Sequence, residues 1–159
     1  MAKDAKTNAM RLLEKAGIPF DVITYEVDED DLSGTHVAAL TGLPPEQVFK
    51  TLVAKGDKTG HIVACVSVNA ELDLKTFAAV SGNKSVEMIH VKELLPLTGY
   101  IRGGCSPVGM KKQFPTYVEE TAVLFDRIAV SAGIRGAQLL LKPQALADYI
   151  GACFVAIER

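Results

Sequence analysis

Lys50 stands at the centre of QVFKTLV (Gln47 to Val53), a strand-like run in which a valine or isoleucine would pack at less cost. Period-two alternation puts Val48, Lys50 and Leu52 on one face and Phe49, Thr51 and Val53 on the other. Two readings follow. Either the ammonium reaches water at a sheet's rim while its stem covers apolar surface, or it is aimed at a ligand phosphate, hydroxyl or carbonyl. Two glycine-bearing loops are the other places where chemistry is possible. In GGCSP, Gly103 and Gly104 let the chain approach a ligand closely, and free amides there can face an anion or a carbonyl oxygen. A plain tight turn is the competing account. Cys105 would act as a nucleophile only with a base beside it, and no histidine lies near it in sequence. SAGIRG (Ser131 to Gly136) is a second loop of this kind, without Walker or dinucleotide-binding spacing. Arg102, Lys111 and Lys112 form a small basic patch around the first loop, either a solvated face or a seat for nucleic-acid backbone.

The remaining reactive residue types are dispersed. Cys65, Cys105 and Cys153 form no C-x-x-C pair, and His36, His61 and His90 are isolated from them and from each other. The expectation is reduced thiols, no metal and no cofactor. Seventeen Lys plus Arg against nineteen Asp plus Glu leave a net charge of −2, which excludes global electrostatic capture of nucleic acid. The longest apolar runs, such as HIVACVSV (His61 to Val68), fall well short of the ~18 residues of a membrane span. MAKDAKTNAMRLLEKAG lacks the apolar core of a signal peptide, so the expected location is the cytoplasm, without membrane contact.

Elements must position these groups, and most can be placed. The 159 residues suffice for one self-sufficient domain, 1–159, with no linker or repeat. Asp4 to Lys15 predicts a helix capped by Gly17, and Ile18 to Val27 alternates as a strand before the acidic Glu29 to Asp31 loop. Thr35 to Leu40 predicts a short helix stopped at Gly42, with Pro44 and Pro45 preventing its continuation. Gly56-Asp57-Lys58-Thr59-Gly60 is dense in turn formers, so Val48 to Lys55 and His61 to Val68 read as a hairpin. A helix over Leu74 to Val80, a strand over Ser85 to His90 and a short helix over Val91 to Leu97, broken by Pro96, follow. Tyr100 to Arg102 is expected to be extended. Thr116 to Glu119, Arg127 to Ser131, Gln138 to Leu141 and Cys153 to Ile157 read as strands, with a helix from Pro143 to Gly151. Strands outnumber helices without regular alternation. This predicts an α+β domain whose mixed or antiparallel sheet curls in a barrel-like way, surrounded by short helices.

Taken in order, VFKTLV, AELDLKTFA (Ala70 to Ala78), TGYIRGGCSPVGMKK (Thr98 to Lys112) and VSAGIRG (Val130 to Gly136) resemble one family. It is the YbaK/EbsC group of bacterial Cys-tRNA(Pro) deacylases, relatives of the editing domain inserted in bacterial prolyl-tRNA synthetases. The resemblance runs from Leu12 almost to the C-terminus. It implies an aminoacyl-tRNA deacylase that edits in trans, hydrolysing the ester of mischarged Cys-tRNA(Pro). Such editing is needed because a pocket that accepts proline rejects a slightly different small side chain by only ~1–3 kcal/mol. The resemblance further implies that Lys50, with Thr51 beside it, holds the 3′-terminal adenosine or the ester carbonyl. Gly103, Gly104, Ser106 and Pro107 would line the aminoacyl pocket, and Ser131, Gly133 and Gly136 would form its other wall with Tyr25 nearby. Arg102, Lys111 and Lys112 would meet tRNA backbone. The cysteinyl thiol would attack its own ester, so that no protein nucleophile is required. Prolyl-tRNA synthetase is the expected partner, and a monomer or weak homodimer the expected assembly. Deacylation of Ala-tRNA(Pro) or another small aminoacyl-tRNA, and a non-catalytic tRNA-end or synthetase-binding module, are the alternatives. Gln138, where some relatives carry aspartate, and Ser33-Gly34, where relatives carry an aromatic, depart from the pattern and bear on amino-acid preference.

Overall fold

The computed structural model describes residues 6–159, so Asp4 and Ala5 of the predicted first helix lie outside the described residues. That helix is α1, Asn8–Lys15, started by Thr7, whose hydroxyl accepts the Met10 N–H. The alternating segment after it pairs only as β1, Asp21–Thr24, shorter than Ile18 to Val27 because its partner supplies four register positions. Helix α2, Gly34–Thr41, begins at a Ser33 cap and stops at Gly42, which takes φ +78°.

The hairpin forms as β2, Phe49–Gly56, and β3, Gly60–Ser67, antiparallel from Phe49 opposite Ser67 to Gly56 opposite Gly60. Asn83 fixes its turn by accepting the Lys58 and Thr59 amides. Next come α3, Leu74–Ser81, capped by the Asp73 side chain, then β4, Val86–Met88, and α4, Val91–Thr98. Pro96 does not break α4 as predicted. The proline removes one N–H from the helix, which nevertheless continues until Gly99 terminates it at φ +86°. Tyr100 to Arg102 is not a strand either; it is irregular chain leading into the Arg102-Gly103 turn. The chain closes with β5, Thr116–Glu119, β6, Ile128–Ser131, β7, Ala137–Leu141, α5, Pro143–Ile150, and β8, Cys153–Val155.

The strands form two sheets. A mixed sheet has the order β4-β2-β3-β5-β8, and an antiparallel sheet the order β1-β7-β6. A parallel bridge between Val48 and Ala129 stitches them at the start of β2. This is the α+β, barrel-like architecture expected, with the two sheets meeting at a seam. The main apolar core lies between the antiparallel sheet, α1, α5 and β5, built around Leu13, Ile128, Leu139, Leu141 and Leu146. No described helix is long and apolar enough to cross a membrane.

Candidate active site

β2 sits inside the mixed sheet for only part of its length. On one side it pairs with β3 throughout; on the other, β4 reaches only Ala54, Lys55 and Gly56. The Val68 N–H donates to the Val48 carbonyl, so Val48, Lys50 and Leu52 occupy the hydrogen-bonded positions of the β2–β3 ladder. Phe49, Thr51 and Val53 must therefore turn their backbone groups the other way. The Val53 carbonyl is met by the Ile89 N–H, but Thr51 faces a gap between β4 and the Val48–Ala129 seam. That gap is a cavity of about 370 Å³.

Its walls come from distant parts of the chain. Lys50, Thr51, Leu52 and Val53 form the β2 edge; Met88, Ile89, Val91 and Leu94 give an apolar side; Ser33, Gly34 and Val37 of α2 close another. Arg102, Gly103 and Cys105 of the first glycine loop, with Ser131 and Gln138 of the antiparallel sheet, complete it. Lys50 is half-buried and forms no ion pair with any described residue, and the same holds for the exposed Arg102. None of the lining residues is an Asp or Glu, so the cavity is electropositive.

The two glycine loops are locked together behind this surface. The Gly104 amide donates to the Ile101 carbonyl, and an added Cβ at Gly104 would come within 3.0 Å of the Ile134 carbonyl carbon. Arg135 donates through Nε to the Arg102 carbonyl and pairs with Glu29. Tyr100 is wedged between the loops: its hydroxyl donates to the Val108 carbonyl, and its ring lies 2.9 Å from where a Gly133 Cβ would be. Gly133 has φ +100°, a conformation that leaves room for glycine alone. The Gly103 and Cys105 amides, on two cavity-lining residues, donate to nothing among the described residues.

Among the residues singled out from sequence, Lys50, Thr51, Gly103, Ser131 and Arg102 meet at this cavity. Gly104, Ser106 and Pro107 are buried behind Gly103, with the Ser106 hydroxyl accepting the Val108 N–H. Tyr25 borders an adjoining crevice with Gly103 and Arg135, and its N–H donates to the Gly136 carbonyl. Lys111 packs along Gly99, and Lys112 lies 5.9 Å from the centroid of the Phe114 ring; both are exposed and stand apart from the cavity lining. Sequence reasoning passed over Tyr100, the apolar wall and the inward aim of Gln138. An aromatic just ahead of the paired glycines was the available signal for Tyr100.

The cavity thiol is not a nucleophile in waiting. Burial pushes the Cys105 thiol up to about 12, against a lowering hydrogen bond with Thr98. Cys65 lies behind it, its thiol also raised to about 12 by burial and 3.8 Å from the Thr51 hydroxyl. What remains is an arrangement of cations and amides fit to hold an anionic ligand and to stabilise negative charge.

The chain that builds this cavity has known relatives. Residues 33–149 match the model of the aminoacyl-tRNA editing domain, and the chain belongs to that family. Within it, the chain is 51% identical over 152 residues, 96% of its length and 93% of the relative's, to the "Putative Cys-tRNA(Pro)/Cys-tRNA(Cys) deacylase EbsC" of Enterococcus faecalis. A 77-residue stretch, 48% of the chain, is 32% identical to 14% of a proline–tRNA ligase of Thermosipho africanus. Among solved structures, a "putative trans-editing enzyme for prolyl tRNA synthetase" superposes with a TM-score of 0.83, covering 98% of this chain and 99% of its own at 24% identity. The last of these speaks to the fold alone.

Proposed function

We propose that the chain is a cytoplasmic trans-editing deacylase that releases cysteine from mischarged tRNA(Pro). The observation that carries this reading is the open edge of β2. It holds the unpaired Lys50 ammonium and the cavity-facing Thr51 backbone beside uncommitted amides of Gly103 and Cys105, with no carboxylate and no activated nucleophile around them. The close relative named for this activity supports it.

Lys50 and Arg102 bind the phosphate and ribose of the 3′-terminal nucleotide, and the apolar wall of Met88, Val91 and Leu94 takes the base. The ester carbonyl then lies against the Gly103 and Cys105 amides, which stabilise the developing oxyanion. The substrate thiol, held over that carbonyl, forms the sulfur–carbon bond as the bond to the ribose 3′ oxygen breaks. Its proton ends on the released 3′-hydroxyl, and water later opens the thiolactone. Orientation and charge stabilisation suffice for this step. Ser131 and Gln138 line the cavity where the amino-acid end arrives, while Tyr25, Gly104, Ser106, Pro107, Gly133 and Gly136 shape the walls from behind. With a net charge of −2, the chain holds tRNA weakly by itself, and prolyl-tRNA synthetase presents it to a monomeric or weakly dimeric editor.

The test is deacylation of Cys-tRNA(Pro) and Ala-tRNA(Pro) by the wild type and Lys50→Ala. A loss of roughly 10²-fold in the variant is expected, the scale of removing one charge-stabilising donor. Undiminished turnover by Lys50→Ala would refute the role given to Lys50, and hydrolysis of an S-methylated substrate at the normal rate would refute thiol assistance.

A further inference from the structure

Gln138 is a primary amide in the middle strand of the antiparallel sheet, opposite Ile23 on one side and Ser131 on the other. Its sequence neighbours Ala137 and Leu139 point into the apolar core, so alternation turns Gln138 to the opposite face, where it lines the cavity. The residue is only 5% exposed, its side chain makes no hydrogen bond among the described residues, and its carboxamide atoms open onto the cavity. Its carboxamide is therefore free to bond whatever partner enters the cavity.

The neighbouring polar groups narrow what that partner is. Lys50 and Arg102 are pure donors. The Ser131 hydroxyl already accepts the Gly133 N–H, the Ser33 hydroxyl accepts the His36 N–H, and the Thr51 hydroxyl is engaged with Cys65. Each hydroxyl keeps a second lone pair, and Gln138 adds the one carboxamide oxygen among the lining residues, without a partner among the described residues. An aminoacyl ester brings one donor that needs such a partner, its α-amine, and the cavity offers that amine no carboxylate.

We propose that the Gln138 carboxamide oxygen accepts a hydrogen bond from the substrate α-amine, making Gln138 the residue that distinguishes an α-aminoacyl ester from other acyl esters. This rests on the deacylase reading, and it assigns recognition of the amino group to a neutral side chain. The consequence is selectivity without an ion pair. The contact favours aminoacyl-tRNA over an equally shaped des-amino ester by the modest factor of one neutral hydrogen bond.

The test is a cycle between residue and substrate group. Wild type, Gln138→Met and Gln138→Glu are assayed on tRNA(Pro) carrying cysteine and on tRNA(Pro) carrying 3-sulfanylpropanoate, which keeps the thiol and lacks the amine. Wild type should prefer the cysteinyl ester by roughly 2- to 10-fold in kcat/KM, expressed mainly in KM. Gln138→Met should lose that preference by slowing only the cysteinyl ester, and Gln138→Glu, which keeps an acceptor, should retain it. Equal slowing of both esters by Gln138→Met, or loss of preference in Gln138→Glu as well, overturns the proposal while leaving the deacylase reading intact. If wild type turns over neither ester, both readings fall.

Discussion

Replacing Gly104 with alanine adds one methyl group where the two glycine loops touch. Gly104 is not among the glycines with positive φ, so alanine adopts its backbone freely and any effect must come from contact. The new Cβ would lie 3.0 Å from the Ile134 carbonyl carbon, 3.1 Å from the Arg135 nitrogen and 3.2 Å from the Ile134 Cα. All three are backbone atoms that cannot swing aside, so the loops must part by a few tenths of an ångström to approach ordinary contact of about 3.5–4.0 Å. Overpacking of this kind costs about 1–3 kcal/mol. At about 2–4 °C per kcal/mol for a chain of this size, the melting temperature should fall by roughly 2–12 °C. The same displacement carries Gly103 and Arg102, so kcat/KM on Cys-tRNA(Pro) should fall by about tenfold or more, as misplaced catalytic groups do. Thermal unfolding followed by circular dichroism and single-turnover deacylation measure the two effects. Gly17→Ala is the control: its φ of +73° penalises alanine, nothing lies within 4 Å of the added carbon, and it is outside the cavity. It should lose stability and keep activity. A Gly104→Ala protein that melts within about 1 °C of wild type and deacylates normally would refute the view that loop packing sets the site.

Tyr100→Phe deletes the hydroxyl that donates to the Val108 carbonyl, and urea unfolding should register a loss of about 0.5–1.5 kcal/mol. Alkylation at mild alkaline pH should label exposed Cys153 first, while Cys65 and Cys105, raised to about 12 by burial, stay protected until the chain unfolds; peptide mass spectrometry reads the order. Cys105→Ser should keep most deacylation, because no step uses the protein's thiol. Asp57 accepts the Ser85 and Lys84 amides, which hold its carboxyl below the ordinary 3.8. Its contribution to stability is complete above that value and disappears as pH falls through the lowered one, so Asp57→Asn should flatten the acid limb of a pH–stability curve.

How far the fold was legible depended on how local its causes are. The GDKTG turn, the caps at Gly42, Gly82 and Gly151, and the Asp73 start of α3 are decided within a few residues, and the sequence displays them. Pro96 misled because the cost of an interior proline is local, one lost hydrogen bond and a clash with one preceding carbonyl, and α4 runs through it to Thr98. The wall of Met88, Val91 and Leu94, and the placing of Gln138 opposite Ser131, were beyond reach: they follow from which strand lies beside which. Alternation indicates that Gln138 shares a face with Leu140, but not that a cavity opens there.

The choice posed by QVFKTLV, a lysine at the sheet's rim or a lysine at a site, dissolves once the topology is known. β4 covers three residues of β2 and the seam covers the strand's start, so the intervening stretch is an edge in the middle of the molecule. An edge exposes backbone donors and acceptors that most proteins shield. Here the shielding is done by two glycine loops and the turn into α2, which leave a cavity in place of a partner strand. A lysine on such a strand can cover apolar surface with its stem and still present its ammonium to whatever enters. The physical features that made Lys50 look like a rim residue are thus the ones that equip it for the role proposed for it, holding the 3′ end of a tRNA. A site built from an unpaired strand edge needs no dedicated nucleophile, since its backbone supplies oriented dipoles that folding leaves unused.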